Sequence, residues 1–321
     1  MKRRILLTGK GGQVGRALCA LLPRLGVVTA LDRLQLDFSQ PDQIRQIVRS
    51  VRPQIIVNAA AYTAVDQAES DQAAAQAING HAPMVLAEEA QSLGALLVHY
   101  STDYVFDGAK GQPYVEEDLP NPQNVYGRTK LAGERAIQQA GVSHLIFRTA
   151  WVYAREGRNF LLNLLHLATQ KEELKIVRDQ IGAPTWSYEI AAATTQVLSQ
   201  ICARDGAPSL TPDRGGIYHL TAAGETSWYG FAKAILEEVS RHPPSDPWFA
   251  AATQQRPLIV RRIVPIATAE YPTPARRPAH SVLSNARLAN QFGIRLPDWK
   301  TQLRSFFRHH SPEHSQVQVK E

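Results

Sequence analysis

Ile5-Leu-Leu-Thr-Gly-Lys-Gly-Gly-Gln-Val-Gly15 is a short apolar run, a glycine-rich turn and the opening of a helix. Ile5-Leu-Leu7 reads as a buried strand, and Val14, Ala17, Leu18, Leu21 and Leu22 follow at the spacing of one helical face. Between them, Gly9, Gly12 and Gly15 form G-x-x-G-x-x-G, a spacing variant of the dinucleotide fingerprint. Positions without side chains let backbone amides and a helix N-terminus approach a pyrophosphate. Gln13 and Val14, which open that helix, are expected beside the phosphates with Gly9 and Gly12. A tight turn without a ligand would use the same residues, so the rest of the chain has to decide.

It decides for a doubly wound α/β sheet. Val27-Val-Thr-Ala-Leu31 is a second strand ending at Asp32, where this fold sets a carboxylate against the adenosine ribose. Asp32 favours NAD, whereas Arg33 beside it suits the 2′-phosphate of NADP. Asp37 is placed to accept from an adenine amine, with Phe38 beside it expected at the cofactor as well, or simply leads into the helix signalled by Ser39, Pro41 and Asp42. Gln54-Ile-Ile-Val57 is a third strand, and Ala59, Ala60 and Ala61 after it are small where a cofactor must pass closely. Tyr62, Thr63 and Asp66 line the loop that follows. Ala95 to Tyr100 is a fourth strand, opening into Ser101-Thr102-Asp103. Ligands of parallel sheets lie beyond the carboxyl ends of the strands, so these residues share a crevice with the glycine turn.

Tyr126-Gly-Arg-Thr-Lys130 puts a phenol and an ammonium four residues apart on a helix, on one face. A free tyrosine titrates near about pH 10. A neighbouring cation stabilises the phenolate and brings its proton within catalytic reach.

Composition is compatible with a soluble enzyme. With 321 residues and 44% hydrophobic content the chain can fill one large α/β domain or two small ones. No stretch reaches the roughly 20 apolar residues of a membrane span, and the apolar run after Met1-Lys-Arg-Arg4 is too short for a signal peptide. Cys19 and Cys202 have neither disulfide nor metal spacing, which fits a reducing cytoplasm and no bound metal. Of the net +6, much is local: Gln255 to His310 holds ten Arg or Lys against Glu270 and Asp298, an excess of eight. The stretch lacks the aromatic interleaving of a nucleic-acid platform. A phosphorylated small molecule suits it better.

In order, these parts resemble the extended short-chain dehydrogenase/reductases. His99-Tyr-Ser-Thr-Asp-Tyr-Val-Phe106, Asn124-Val-Tyr-Gly-Arg-Thr-Lys-Leu-Ala-Gly-Glu134, Phe147-Arg-Thr-Ala-Trp-Val-Tyr153, Asp179-Gln-Ile-Gly-Ala-Pro-Thr185 and Tyr271-Pro-Thr-Pro-Ala-Arg-Arg-Pro278 narrow the resemblance to the dTDP-4-dehydrorhamnose reductases, over about residues 3 to 307. It implies NADPH or NADH as cofactor and a dTDP-sugar as substrate. Tyr126 would protonate the C4 oxygen as a hydride arrives, Lys130 would hold the nicotinamide ribose and lower the tyrosine pKa, and Thr102 would hydrogen-bond the same oxygen. Asp103 and Trp151 would touch the sugar and Arg277 the diphosphate, with Arg276 a weaker candidate. Some members carry an acidic residue in the first helix to share a metal between subunits. Arg16-Ala-Leu-Cys19 stands there instead, so a monomer or weak homodimer is expected. A sugar-nucleotide dehydratase or epimerase would share this fold; dehydration needs a further acid–base group to expel water, and dehydratases usually carry Asp-Glu after the strand-end threonine, against Asp103-Tyr104 here. A non-catalytic regulatory subunit, like the one that binds methionine adenosyltransferase, would show the same resemblance.

The expected layout is a Rossmann-type domain at 1–150, completed by about 186–224, with a smaller discontinuous substrate lobe from 151–185 and 225–308. Residues 309–321 are polar enough for a disordered tail.

Overall fold

The computed structural model describes residues 2–202, 210–241 and 246–308, so the expected tail lies outside the described residues. Five parallel strands, β1 (Arg4–Thr8), β2 (Val27–Leu31), β3 (Ile55–Asn58), β4 (Leu96–Thr102) and β5 (His144–Thr149), form a sheet in the order 2-1-3-4-5, and strand Gly216–His219 extends it in parallel beside β5. Successive side chains of a strand point to opposite faces, and both faces here are covered, so the strands read as unbroken apolar runs. Ile5 and Leu7 pack on one side with Leu18 and Leu21 of helix α1 (Gln13–Leu21), with Ile190 and Val197 of helix Ser187–Ile201, and with Leu288 and Phe292. Leu6 packs on the other with Ile44 and Val48 of helix α2 (Pro41–Val51), with Val85 and Leu86 of helix Ala82–Leu93, and with Ile137 of helix Val125–Gln139. The sheet is thus doubly wound. Its order reverses between β1 and β3, the place where such folds open a crevice for a ligand.

A second core lies under the remaining segments. Tyr153, Leu161, Leu165, Trp186, Phe231, Trp248, Trp299 and Phe306 pack together, and strands Glu173–Val177 and Arg262–Ile266 pair in parallel. The proline-rich stretch after Pro243 contains helix Pro247–Thr253. Proline stands at its first position, where a missing N–H costs the helix nothing.

Five of the ten basic residues of the C-terminal stretch pair with distant acids. Arg261 meets Glu172 at 3.2 Å, Arg287 meets Glu117 at 3.5 Å, and Arg262 bonds Glu173. The local count of eight therefore overstates what is open to an anionic ligand.

Candidate active site

Gly9, at φ +72°, lies so close to the end of β3 that a Cβ would stand 2.5 Å from the Ala60 nitrogen. At Gly15 a Cβ would stand 2.0 Å from the Gly9 oxygen. Any side chain at either position would push the helix off the turn. The N-terminus of α1 has Gly12 as its cap, with no side-chain hydrogen bond to its amides and no acid in its first turn. Its dipole and N–H groups are left for an anion, as a dinucleotide pyrophosphate requires. Gln13 turns its side chain across the crevice, where Asn159 Nδ2 donates to Gln13 Oε1 at 3.1 Å, and Arg16 pairs with Glu156 in the same loop. Val14 packs partly buried against the sheet.

At the end of β2, Asp32 accepts from the Leu34 N–H at 3.0 Å and stands 3.5 Å from Lys10 Nζ. Partial burial raises its carboxyl, but the Leu34 amide and Lys10 outweigh this and hold it below the usual range. Arg33 is exposed. Asp37 accepts from both the N–H and the Oγ–H of Ser39, each at 2.8 Å, the geometry of a residue leading into α2. Phe38 is 7% exposed and packed with Leu6 and Ile44, so its ring serves the core. Ala59, partly buried, packs toward α1, and Ala60 on the opposite face. Ala61 follows at the same strand end, half-buried.

The chemistry-bearing residues gather at the ends of β4 and of helix Val125–Gln139. Asn124 caps this helix through the Gly127 N–H at 2.8 Å, and its own amide donates to the Arg276 carbonyl at 2.8 Å. Asn79, on an adjacent helical turn, clamps the Tyr62 backbone at 2.8 and 3.0 Å and donates to Thr129 at 3.1 Å. The half-buried Tyr126 packs edge-on to Tyr104, ring centroids 5.6 Å apart. Burial pushes its phenol up to about 12, and a hydrogen bond with Thr102 draws it down.

Thr102 accepts the Tyr104 N–H at 3.1 Å and donates to Asp103 Oδ1 at 3.0 Å. Its single proton thus has two destinations, the Asp103 carboxylate or a Tyr126 phenolate, and a hydroxyl can switch between them by rotation. Asp103 is 1% exposed, and burial pushes its carboxyl up to about 6 against hydrogen bonds from Ser281 and Thr102.

Lys130 is 1% exposed; its Nζ donates to the Tyr100 carbonyl at 2.5 Å and lies 3.2 Å from His99 Nε2. Burial lowers it to about 8, opposed by the charge of Glu134. Tyr126 and Lys130 do share a helix, as their spacing requires, but the hydrogen bonds of Lys130 run to β4. The signal for His99 in the sequence is a histidine inside an apolar strand.

Trp151 follows β5 with φ +48°, a left-handed backbone rare for a bulky residue. Its indole stacks on Trp228 at 3.5 Å and 2°, and a Cβ at Gly182 would fall 2.4 Å from the ring. Arg277 is held in a fork by Asp66, Nη1–Oδ1 3.1 Å and Nη2–Oδ2 2.8 Å, with Thr273 as a further acceptor. Arg276 is exposed. A groove of about 560 Å³ lined by Lys233, Leu236, Arg241, Leu258 and Arg262 shares no residue with this cluster.

Residues 3–311 match the family model described as RmlD substrate binding domain. The chain is 50% identical over 297 residues to the dTDP-4-dehydrorhamnose reductase of Burkholderia thailandensis, covering 92% of this chain and 95% of that protein. It is 44% identical over 300 residues to the Escherichia coli K12 enzyme of the same name, covering 92% and 94%. Among solved structures, the dTDP-4-dehydrorhamnose reductase of Bacillus anthracis in complex with NADP superposes with TM-score 0.81 at 33% identity, covering 96% of this chain and 99% of that one. A Thermus thermophilus UDP-glucose 4-epimerase complexed with NAD superposes at 0.71 with 19% identity, covering 96% and 100%, a likeness of fold.

Proposed function

The chain belongs to the dTDP-4-dehydrorhamnose reductase family, and on that premise we propose that it reduces the C4 keto group of dTDP-4-dehydro-L-rhamnose to dTDP-L-rhamnose, using NADPH or NADH. The observation that carries this reading is the convergence of Thr102, Tyr126 and Lys130 at the carboxyl end of β4, beside a glycine turn whose helix N-terminus receives no side-chain hydrogen bond.

A bound reduced nicotinamide supplies the hydride. Tyr126, its phenol held well above neutral pH, is a protonated acid ready to donate to the C4 oxygen. As it becomes a phenolate, Thr102 rotates its proton from Asp103 toward it. Lys130 holds the nicotinamide ribose, and its charge then stabilises the phenolate. Asp103 and the edge of Trp151 meet the sugar, against a lobe drawn from 151–185 and 225–308, of which 286–296 returns to the sheet. Turnover of dTDP-4-dehydro-L-rhamnose by the purified chain tests the proposal. Binding of NADPH without turnover would leave only a regulatory role.

Both nicotinamides should serve, because Asp32 suits a ribose diol while Lys10 and Arg33 put positive charge beside it. The ratio of their kcat/KM values is expected to stay within about a hundredfold, roughly 2.7 kcal/mol. A larger ratio would mean that one of these residues decides alone.

Arg277 is assigned to the substrate diphosphate, and Asp66 keeps the guanidinium oriented in the free protein. Arg277→Ala should raise KM for the sugar nucleotide at least about tenfold, since a charge-assisted bidentate contact contributes about 1.5–3 kcal/mol. Arg277→Lys should recover only part, having charge without the fork. KM for NADPH should not move. Unchanged KM for the sugar nucleotide in both variants would assign Arg277 to the Asp66 latch alone.

We place the enzyme in the cytoplasm; no helix among the described residues is long and apolar enough to cross a membrane. As Arg16 bonds Glu156 within its own chain, a monomer or weak homodimer is the proposed state.

A further inference from the structure

A buried polar chain runs behind the site, from the turn that cradles the cofactor to the lysine. Thr8 Oγ1 donates to Asn58 Oδ1 at 2.7 Å, and the Ala60 N–H donates to the same oxygen at 3.2 Å. Asn58 Nδ2 meets His99 Nδ1 at 3.0 Å, and His99 Nε2 meets Lys130 Nζ at 3.2 Å. Thr8 and His99 are 0% exposed, Asn58 and Lys130 1%. The chain crosses the sheet at the switch point between β1 and β3.

Its proton positions follow from one fixed donor. A backbone N–H cannot accept, so Ala60 holds the Asn58 oxygen toward itself and leaves the NH₂ facing His99. His99 Nδ1 must then be the bare nitrogen. A neutral His99 carries its proton on Nε2, aimed at Lys130 Nζ. Burial and the Lys130 charge both hold this imidazole in its neutral form. An Nε2–H facing an ammonium sets donor against donor, whereas facing an amine it makes a hydrogen bond.

We propose that His99 is a positioning residue for the reaction: with its tautomer fixed by Asn58, its Nε2–H favours the neutral amine of Lys130 and makes that side chain readier to release its proton. Opposing it are the Tyr100 carbonyl from β4 and, from the lysine's own helix, Glu134, whose carboxylate is bound to Arg148 of β5. Thr8 and Asn58, from β1 and β3, are neutral, and Tyr126 lies on the lysine's helix, four residues before it. Lys130 is therefore balanced between two protonation states by groups on both sides.

The first test needs no substrate. Long-range ¹H–¹⁵N spectra of the unaltered protein should show His99, assigned by its loss in His99→Gln, as an Nε2–H tautomer that does not titrate between about pH 6 and 9. An Nδ1–H tautomer would overturn the proposal. The second test rests on the reductase reading. In His99→Gln the new side chain offers Lys130 an oxygen, and in Asn58→Ser His99 is free to turn its bare nitrogen to the ammonium. Either change should move the alkaline limb of kcat/KM upward by about half a pH unit or more, with KM for NADPH unchanged. Limbs superimposable on the parent's in the variants that fold would overturn it. If no variant folds, the tautomer decides. Should the parent itself turn over no dTDP-sugar, the reductase reading fails while the spectra still judge the His99 assignment.

Discussion

Tyr126→Phe is expected to bind NADPH as the parent does and to lower kcat by about 10² or more, the usual contribution of a positioned general acid. The substitution removes one oxygen and its proton. The ring keeps its packing against Tyr104 and beside Val125 and Ala68, and the helix keeps its cap at Asn124. Because protonation of the C4 oxygen belongs to the transition state, kcat and kcat/KM should fall together while substrate binding is little changed. The pH dependence has a definite sign. With its phenol near about 12, Tyr126 is protonated throughout the working range, so the acid is present and loses its proton only at far higher pH. Lys130, near about 8, is charged below that value and neutral above it. The alkaline limb of the profile therefore belongs to the lysine. Steady-state oxidation of NADPH with saturating sugar nucleotide measures all of this, and near-normal turnover in the phenylalanine variant would remove Tyr126 from the assignment.

How much of this was legible in the chain depends on how local the cause is. The glycine turn could be read because strand, turn and helix are consecutive, and because the contacts that forbid a Cβ at Gly9 and Gly15 come from the turn itself and from the next strand but one. Tyr126 and Lys130 could be paired because helical spacing is a local rule. Phe38, expected at the cofactor, packs in the core instead: one residue after Asp37 in a loop, it has no periodicity to say which of the two it faces. The basic count failed for a related reason. Arg262 finds Glu173 only because the two strands carrying them pair, and Arg277 finds Asp66 across 211 positions. Linear charge counting sees neither. His99 was hidden differently, since its role depends on which nitrogen carries the proton, and that depends on a backbone N–H at Ala60.

The second large effect concerns stability. Arg148 and Glu134 are 2% and 1% exposed and joined in a fork, Nε–Oε1 2.9 Å and Nη2–Oε2 2.6 Å, with the guanidinium 5.1 Å from the centroid of Phe106. Arg148 comes from β5, and Glu134 from one turn beyond Lys130. The pair thus fastens the helix that bears Tyr126 and Lys130 to the sheet. Breaking one side of a buried pair strands a charge without water, so Glu134→Ala should cost about 3–5 kcal/mol of unfolding free energy. It would be measured as a fall in denaturant midpoint at constant slope. Replacing both partners by apolar residues of similar volume, Glu134→Leu with Arg148→Met, removes the stranded charge as well as the pair, and should recover most of the loss. A single variant that loses less than about 1 kcal/mol would show that water reaches Arg148. The double variant has a further use. Glu134 is the charge that raises Lys130 against its burial, so the folded double variant should lose its activity at lower pH than the parent, opposite to the shift expected for His99→Gln. Two variants altered on either side of Lys130, moving one alkaline limb in opposite directions, would identify the lysine as the group that titrates.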